Sequence, residues 1–252
     1  MIQNLLDSIK ISKSTNYPDR PTIVFLHDSL GCIELWRDFP SKLGELTQCN
    51  VFVYDRLGYG QSGPVTDQKR GNDYMEIEAD ILSQLLDQHH IENAILFGHS
   101  DGGTIALLAA AKYPSKIRAV ITEGAHIFVE EVTLNGIREA VKLYQTTNLK
   151  QRLQKYHGEK TEDVFMAWTE TWLSDAYRSW NIEHFLPEVI CPSLIIQGEE
   201  DEYGTVGQVD GIVNKTSGAA QKYMLPTIKH SPHKEAPELV LKIATAFILE
   251  VV

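Results

Sequence analysis

The sequence has no excess of positive charge, no paired cysteines and no long apolar run, and each absence removes a class of function. Lys and Arg number 23 against 34 Asp and Glu, a formal net charge of −11. A duplex or an anionic membrane would need a basic face, so no nucleic acid and no membrane is expected as a partner. The three cysteines, Cys32, Cys49 and Cys191, are an odd number without Cys-x-x-Cys spacing. That argues against a disulfide framework and fits a reducing, cytoplasmic compartment. No stretch approaches the roughly 18 uninterrupted apolar residues that span a bilayer. Met1 to Asn16 mixes Asp7, Lys10 and Lys13 among its apolar residues, so no secretory leader is expected there. Repeats, low-complexity tracts and metal-ligand clusters are also missing, and no metal is called for.

What is present is a chain of 252 residues, 43% of them hydrophobic, enough to bury the core of one large α/β domain with an insertion. Thr22–Leu26, Val51–Tyr54, Ala94–Phe97, Ile117–Thr122, Pro192–Gly198 and Gln221–Leu225 read as strands, Thr22–Leu26 and Ala94–Phe97 as short apolar runs. Between them the spacing predicts helices over Glu34–Leu46, Asp73–His89, Thr104–Lys112, Gly207–Asn214 and Pro237–Val251. A short edge strand is expected at Ile9–Ser12. Alternation of this kind builds a mostly parallel sheet with helices on both faces. The rhythm breaks between about 127 and 185, where only helical periodicity remains and three of the four tryptophans lie. The expected organisation is a core of residues 1–125 and 187–252, with a helical cap of residues 126–186 inserted between them.

The chemistry centres on Gly98-His99-Ser100-Asp101-Gly102-Gly103, at the joint between a predicted strand and a predicted helix. A bare Gly-x-Ser-x-Gly arises by chance in roughly one chain in ten of this length. The strand–turn–helix setting gives it meaning, because a tight turn there lifts the serine hydroxyl above the sheet. A serine hydroxyl needs a base, and the base needs an orienting carboxylate. Both should lie on loops after later strands. Glu199, Glu200, Asp201 and Glu202 follow one such strand, and His230 and His233 follow the next. Glu123 is an alternative acid and His233 an alternative base.

These motifs, in this order, resemble the α/β-hydrolase family, in its capped serine esterase and carbon–carbon hydrolase branch. The resemblance covers nearly the whole chain. It implies Asp201, three residues after Gly198, as the acid. It implies His230 as the base, in Lys229-His230-Ser231-Pro232-His233-Lys234-Glu235-Ala236-Pro237-Glu238, where Lys229 replaces the usual glycine. His27-Asp28-Ser29-Leu30-Gly31 corresponds to the family's His-Gly-x-x-Gly, with Asp28 in place of the second residue's glycine. By analogy the backbone N–H groups of Ser29 and Asp101 form the oxyanion hole. Asp55 to Ser62 matches the family's Asp-x-x-Gly-x-Gly-x-Ser and reads as structural support.

The implied reaction is hydrolysis of a small carboxylic ester through an acyl-enzyme, with no cofactor. The same residues could serve a carbon–carbon hydrolase acting on a ring-cleavage dienone, or persist in a ligand receptor of the same fold. The partner is a small-molecule ester, and the chain is expected as a monomer or homodimer. Ser100 to Ser115 is similar to the biphenyl-hydrolase-like branch, where the matching aspartate is implicated in binding a substrate's α-ammonium group. Asp101, His126 and Trp168 are therefore the substrate-binding candidates.

Overall fold

In a computed structural model that describes residues 5–64 and 70–252, the strand-length runs assemble into one seven-stranded sheet of order β1-β3-β2-β4-β5-β6-β7. Residues 1–4, where the N-terminal stretch opens, lie outside the described residues. β1 (Ile11–Ser14) pairs antiparallel with β3 (Asn50–Tyr54), and β2 (Thr22–Leu26) parallel with it. β4 (Ala94–His99), β5 (Ile117–Glu123), β6 (Ser193–Gly198) and β7 (Ala220–Leu225) continue the parallel run. β1 begins two residues later than its sequence pattern suggests. An edge strand buries too little to fix its bounds.

Alternate residues of each inner strand face opposite layers. Val24, Leu26, Phe52, Tyr54, Leu96 and Val120 pack on one side, with the buried faces of α2 (Tyr74–Gln88) and α3 (Asp101–Lys112). Ile23, Phe25, Val51, Val53, Ile95, Phe97 and Ile121 pack on the other, against α1 (Phe39–Thr47) and α9 (Pro237–Val251). The predicted Glu34–Leu46 helix is broken into a 3-10 turn (Ile33–Trp36) and α1, because Arg37 takes φ 53° and Pro40 opens the second helix. The break rotates Leu46 off the apolar side, leaving it 54% exposed. In α2 the buried face runs through Met75, Ala79, Leu82 and Leu86, while Ile77 is exposed.

Between β5 and β6 the described chain is helical: α4 (Glu131–Thr146), α5 (Leu149–His157) and α6 (Thr161–Leu173), followed by two 3-10 turns. Tyr177 and Trp180 stack here, and Trp172 packs against both. α7 (Val206–Lys215) joins β6 to β7, and a single turn, α8 (Pro232–Glu235), precedes α9. From β2 the chain moves outward to β3, then crosses back to β4 on the other side of β2. The strand order therefore reverses between β2 and β4, and a crevice opens at their carboxyl ends.

Candidate active site

The turn at the end of β4 is tight enough to leave no room for side chains. A Cβ on Gly98 would stand 2.2 Å from the Gly102 carbonyl oxygen, and one on Gly102 only 2.0 Å from that of Leu26. Ser100, between β4 and α3, takes φ 54° and ψ −119°, a backbone that a non-glycine residue adopts only under strain. Its amide donates to the Glu123 carbonyl at 2.8 Å, which ties the turn to β5.

Three predicted residues meet there. The Ser100 hydroxyl lies 3.0 Å from His230 Nε2, and His230 Nδ1 lies 2.8 Å from Asp201 Oδ1. The carboxylate fixes the tautomer: Nδ1 carries the proton that Asp201 accepts, leaving Nε2 free to accept from Ser100. The Tyr203 amide also donates to Asp201 Oδ1, at 2.8 Å. Burial works against the Asp201 charge, but His230 and the Tyr203 amide outweigh it and hold the carboxyl below its usual range. Burial likewise pulls His230 down, yet the Asp201 carboxylate raises it above the ordinary histidine value.

The two alternatives sit elsewhere. His233 Nδ1 is 2.6 Å from Glu123 Oε2, and both are buried behind the turn. Burial pushes the Glu123 carboxyl up to about 7 and the His233 imidazole down to about 3. The imidazole is thus uncharged and the carboxyl keeps its proton up to about pH 7, and neither side chain bonds to the Ser100 hydroxyl. Of the other acids after β6, Glu202 accepts the His230 amide at 3.3 Å.

The Asp28 substitution turns out to need no glycine, since Asp28 has no positive φ. Its Oδ1 accepts the Leu30 amide at 2.8 Å, closing the loop on itself. Its Oδ2 faces His99 Nδ1 at 3.1 Å and Lys234 Nζ at 3.4 Å. The Asp28 carbonyl accepts from His27 Nδ1 at 2.8 Å and Arg56 Nη2 at 2.9 Å. A trans peptide points its N–H opposite to its C=O, so the Ser29 N–H faces away from His27 and Arg56. Neither the Ser29 nor the Asp101 amide donates to any acceptor among the described residues.

Beside Ser100 lies a pocket of about 160 Å³. Leu30, Ile137, Trp168, Trp172 and Tyr203 supply apolar wall, and Asp101, His126 and Thr133 supply polar groups. Trp168 and Trp172 are both packed in the helical segment and lining the pocket. His126 Nε2 lies 3.0 Å from the Tyr203 carbonyl, which can only accept, so Nε2 carries the proton. Burial lowers the His126 pKa, and Nδ1 is left as a bare acceptor without a partner among the described residues. The Asp101 carboxylate is engaged from below: Tyr74 donates to Oδ2 at 3.1 Å and Arg56 Nη2 stands 3.7 Å away. Tyr74 in turn accepts from Trp172 Nε1 at 3.2 Å.

Several of these residues carry no signal in the sequence. Gly124, at φ 56°, packs so closely beneath the base that a Cβ would meet His230 Cε1 and Nδ1 at 2.9 Å. His157, at the end of α5, faces the Leu30 carbonyl with Nε2 at 3.0 Å and accepts the Gly60 amide at Nδ1, also 3.0 Å. Arg56, within a loop that read as support, is fully buried. The motif that holds it was visible, but the residues it reaches are remote in sequence.

Comparison with known proteins agrees with this architecture. Residues 21–182 match a family model described as alpha/beta hydrolase fold. The chain is 32% identical over 223 residues to the protein named "Serine hydrolase BPHL" of Homo sapiens, covering 84% of this chain and 74% of that one. It is 27% identical over 213 residues to the 2-hydroxy-6-oxononadienedioate/2-hydroxy-6-oxononatrienedioate hydrolase of Paraburkholderia xenovorans, covering 72% and 71%. Among solved structures, the enol-lactonase from Burkholderia xenovorans superposes with a TM-score of 0.74 at 19% identity, over 95% of this chain and 96% of that one. No helix among the described residues is long and apolar enough to cross a membrane.

Proposed function

This chain belongs to the α/β-hydrolase fold family, and from that premise we propose that it is a serine hydrolase of small carboxylic esters. Ser100 is the nucleophile, His230 the general base and Asp201 the residue that orients it. The observation that carries the reading is the hydrogen-bonded series Ser100–His230–Asp201, with steps of 3.0 and 2.8 Å, opening on a pocket. As Ser100 Oγ bonds to the acyl carbon, its proton passes to His230 Nε2. The carbonyl oxygen takes up the negative charge and accepts from the Ser29 and Asp101 amides. Collapse breaks the ester C–O bond, and His230 returns the proton to the leaving alcohol. A water then attacks the acyl-enzyme by the same route and frees Ser100.

The pocket, at about 160 Å³, is of the order that holds a benzene ring. We further read α-amino esters as favoured substrates. The Asp101 carboxylate and the bare His126 Nδ1 both belong to the pocket lining and both accept hydrogen bonds. Arg56 already balances much of the Asp101 charge, so an ammonium would gain chiefly from hydrogen bonding. Residues 126–186 act as a cap over this pocket, and the three free cysteines fit a cytoplasmic setting.

Labelling by a fluorophosphonate and turnover of p-nitrophenyl esters test the enzyme reading. A folded wild type that is neither labelled at Ser100 nor active on esters would refute it and leave the ligand-receptor reading. Equal kcat/KM for α-amino esters and their N-acetyl counterparts would remove the amine preference. Carbon–carbon hydrolysis is the second reading, supported by the 27%-identical relative that carries such a name. Turnover of a ring-cleavage dienone in preference to esters would establish it.

A further inference from the structure

We infer that Arg56 is the positioning residue of the oxyanion hole, holding both of its arms in register. The inference rests on the esterase reading of Ser100. An arginine side chain with no solvent exposure is costly to bury and needs a compensating arrangement. Among the described residues its hydrogen bond and its ion pair both end on the loops that carry the two oxyanion amides. Nη2 donates to the Asp28 carbonyl at 2.9 Å and stands 3.7 Å from Asp101 Oδ2. Nε and Nη1 have no hydrogen-bond partner among those residues.

The first contact orients a peptide plane. With the Asp28 oxygen held by Arg56 and His27, the Ser29 N–H must point the opposite way. The second contact anchors the side chain of the residue whose own amide is the other donor. The Arg56 backbone joins in, since its amide donates to His27 Nε2 at 3.0 Å and thereby sets the tautomer that lets His27 Nδ1 donate to Asp28. The guanidinium lies over the Tyr59 ring at 4.5 Å, which restricts its plane. One buried guanidinium nitrogen, Nη2, therefore joins the end of β2 to the start of α3, the two sides of the crevice.

A residue acting this way stabilises the transition state without holding the substrate. Arg56→Lys and Arg56→Gln should lower kcat by about 10- to 100-fold with KM within about threefold. Inhibition by phenylboronic acid, whose tetrahedral adduct puts an oxygen in the hole, should weaken by the same factor as kcat. A merely structural role would not link these two losses. If both variants fold and keep kcat and boronate affinity within about twofold, Arg56 does not position the hole. If neither folds, a crystal structure of the wild type with phenylboronic acid decides. The adduct oxygen should accept from Ser29 and Asp101 while Asp28 stays on Arg56; an Asp28 carbonyl turned away from Arg56 overturns the inference. Wild-type activity that Ser100→Ala abolishes shows that the esterase reading stands, so unaffected Arg56 variants then count against Arg56 alone. A wild type without activity or labelling overturns both.

Discussion

Replacing Gly124 by alanine tests how finely the base is placed. The added Cβ would stand 2.9 Å from both Cε1 and Nδ1 of His230, and ordinary contact begins near 3.4 Å. The imidazole must therefore retreat by about 0.5 Å. It is held on one side by Asp201 at 2.8 Å and on the other by Ser100 at 3.0 Å, so it cannot retreat without lengthening one of them. Misplacements of about 1 Å cost about 100-fold in rate, so a loss of about 10- to 100-fold in kcat is expected, with KM little changed. The φ of 56° adds a backbone cost of about 1–2 kcal/mol for any L side chain, which lowers Tm by roughly 2–8 °C in a chain of this size. Gly158→Ala is the matched control, because Gly158 has φ 59° but nothing within 4 Å of its would-be Cβ. It should lose similar stability and no activity. The assay is p-nitrophenyl ester turnover alongside the rate of fluorophosphonate labelling, with Tm from calorimetry. Gly124→Ala with kcat within threefold of wild type would refute the reasoning.

Asp201→Asn should leave the fold intact and reduce kcat by about 10³- to 10⁴-fold, since the amide no longer enforces the Nδ1–H tautomer; steady-state kinetics would read this directly. kcat/KM should fall as pH drops through the His230 pKa, and because Asp201 raises that pKa the midpoint should lie above 6.5 in a pH–rate profile. The Glu123–His233 pair has its own signature in stability. Folded, it keeps one proton on Glu123 until about pH 7, whereas the unfolded chain has lost the carboxyl proton near 4.5 and the imidazole proton near 6.5. The Glu123 carboxyl therefore withdraws stability as pH rises from about 4.5, and the loss is complete at about 7, where the buried group ionises. Glu123→Gln removes that ionisation, so its Tm relative to wild type should climb between about pH 4.5 and 7 and level off above; a difference that stays constant across that range would contradict the assignment.

The inner strands of the sheet were legible because each is a short, mostly apolar run, and the order of motifs pointed to Ser100, Asp201 and His230. Edges and faces were less so. Leu46 and Ile77 sit at helical spacing with other apolar residues but are exposed: the break at Arg37 and Asp38 turns α1, and the buried face of α2 runs through Met75, Ala79, Leu82 and Leu86 instead. The supporting residues were harder still. Gly124 has no motif around it, and its role depends on an imidazole more than a hundred positions away. Arg56 and Asp101 look unrelated along the chain, because charges that pair through the fold leave no spacing to read. Asp28 looked like a departure from a glycine, yet its backbone has no positive φ and its carboxylate closes the loop instead.

His157 contacts the Leu30 carbonyl and the Gly60 amide, and Trp172 reaches Asp101 through Tyr74. The helical segment between β5 and β6 is thus bonded to both loops that flank the crevice. It is not an interchangeable module. A segment grafted from a relative would keep these bonds only if it brought an imidazole at 157 and an indole at 172, so exchange of the whole segment disturbs the crevice where substitutions within it need not.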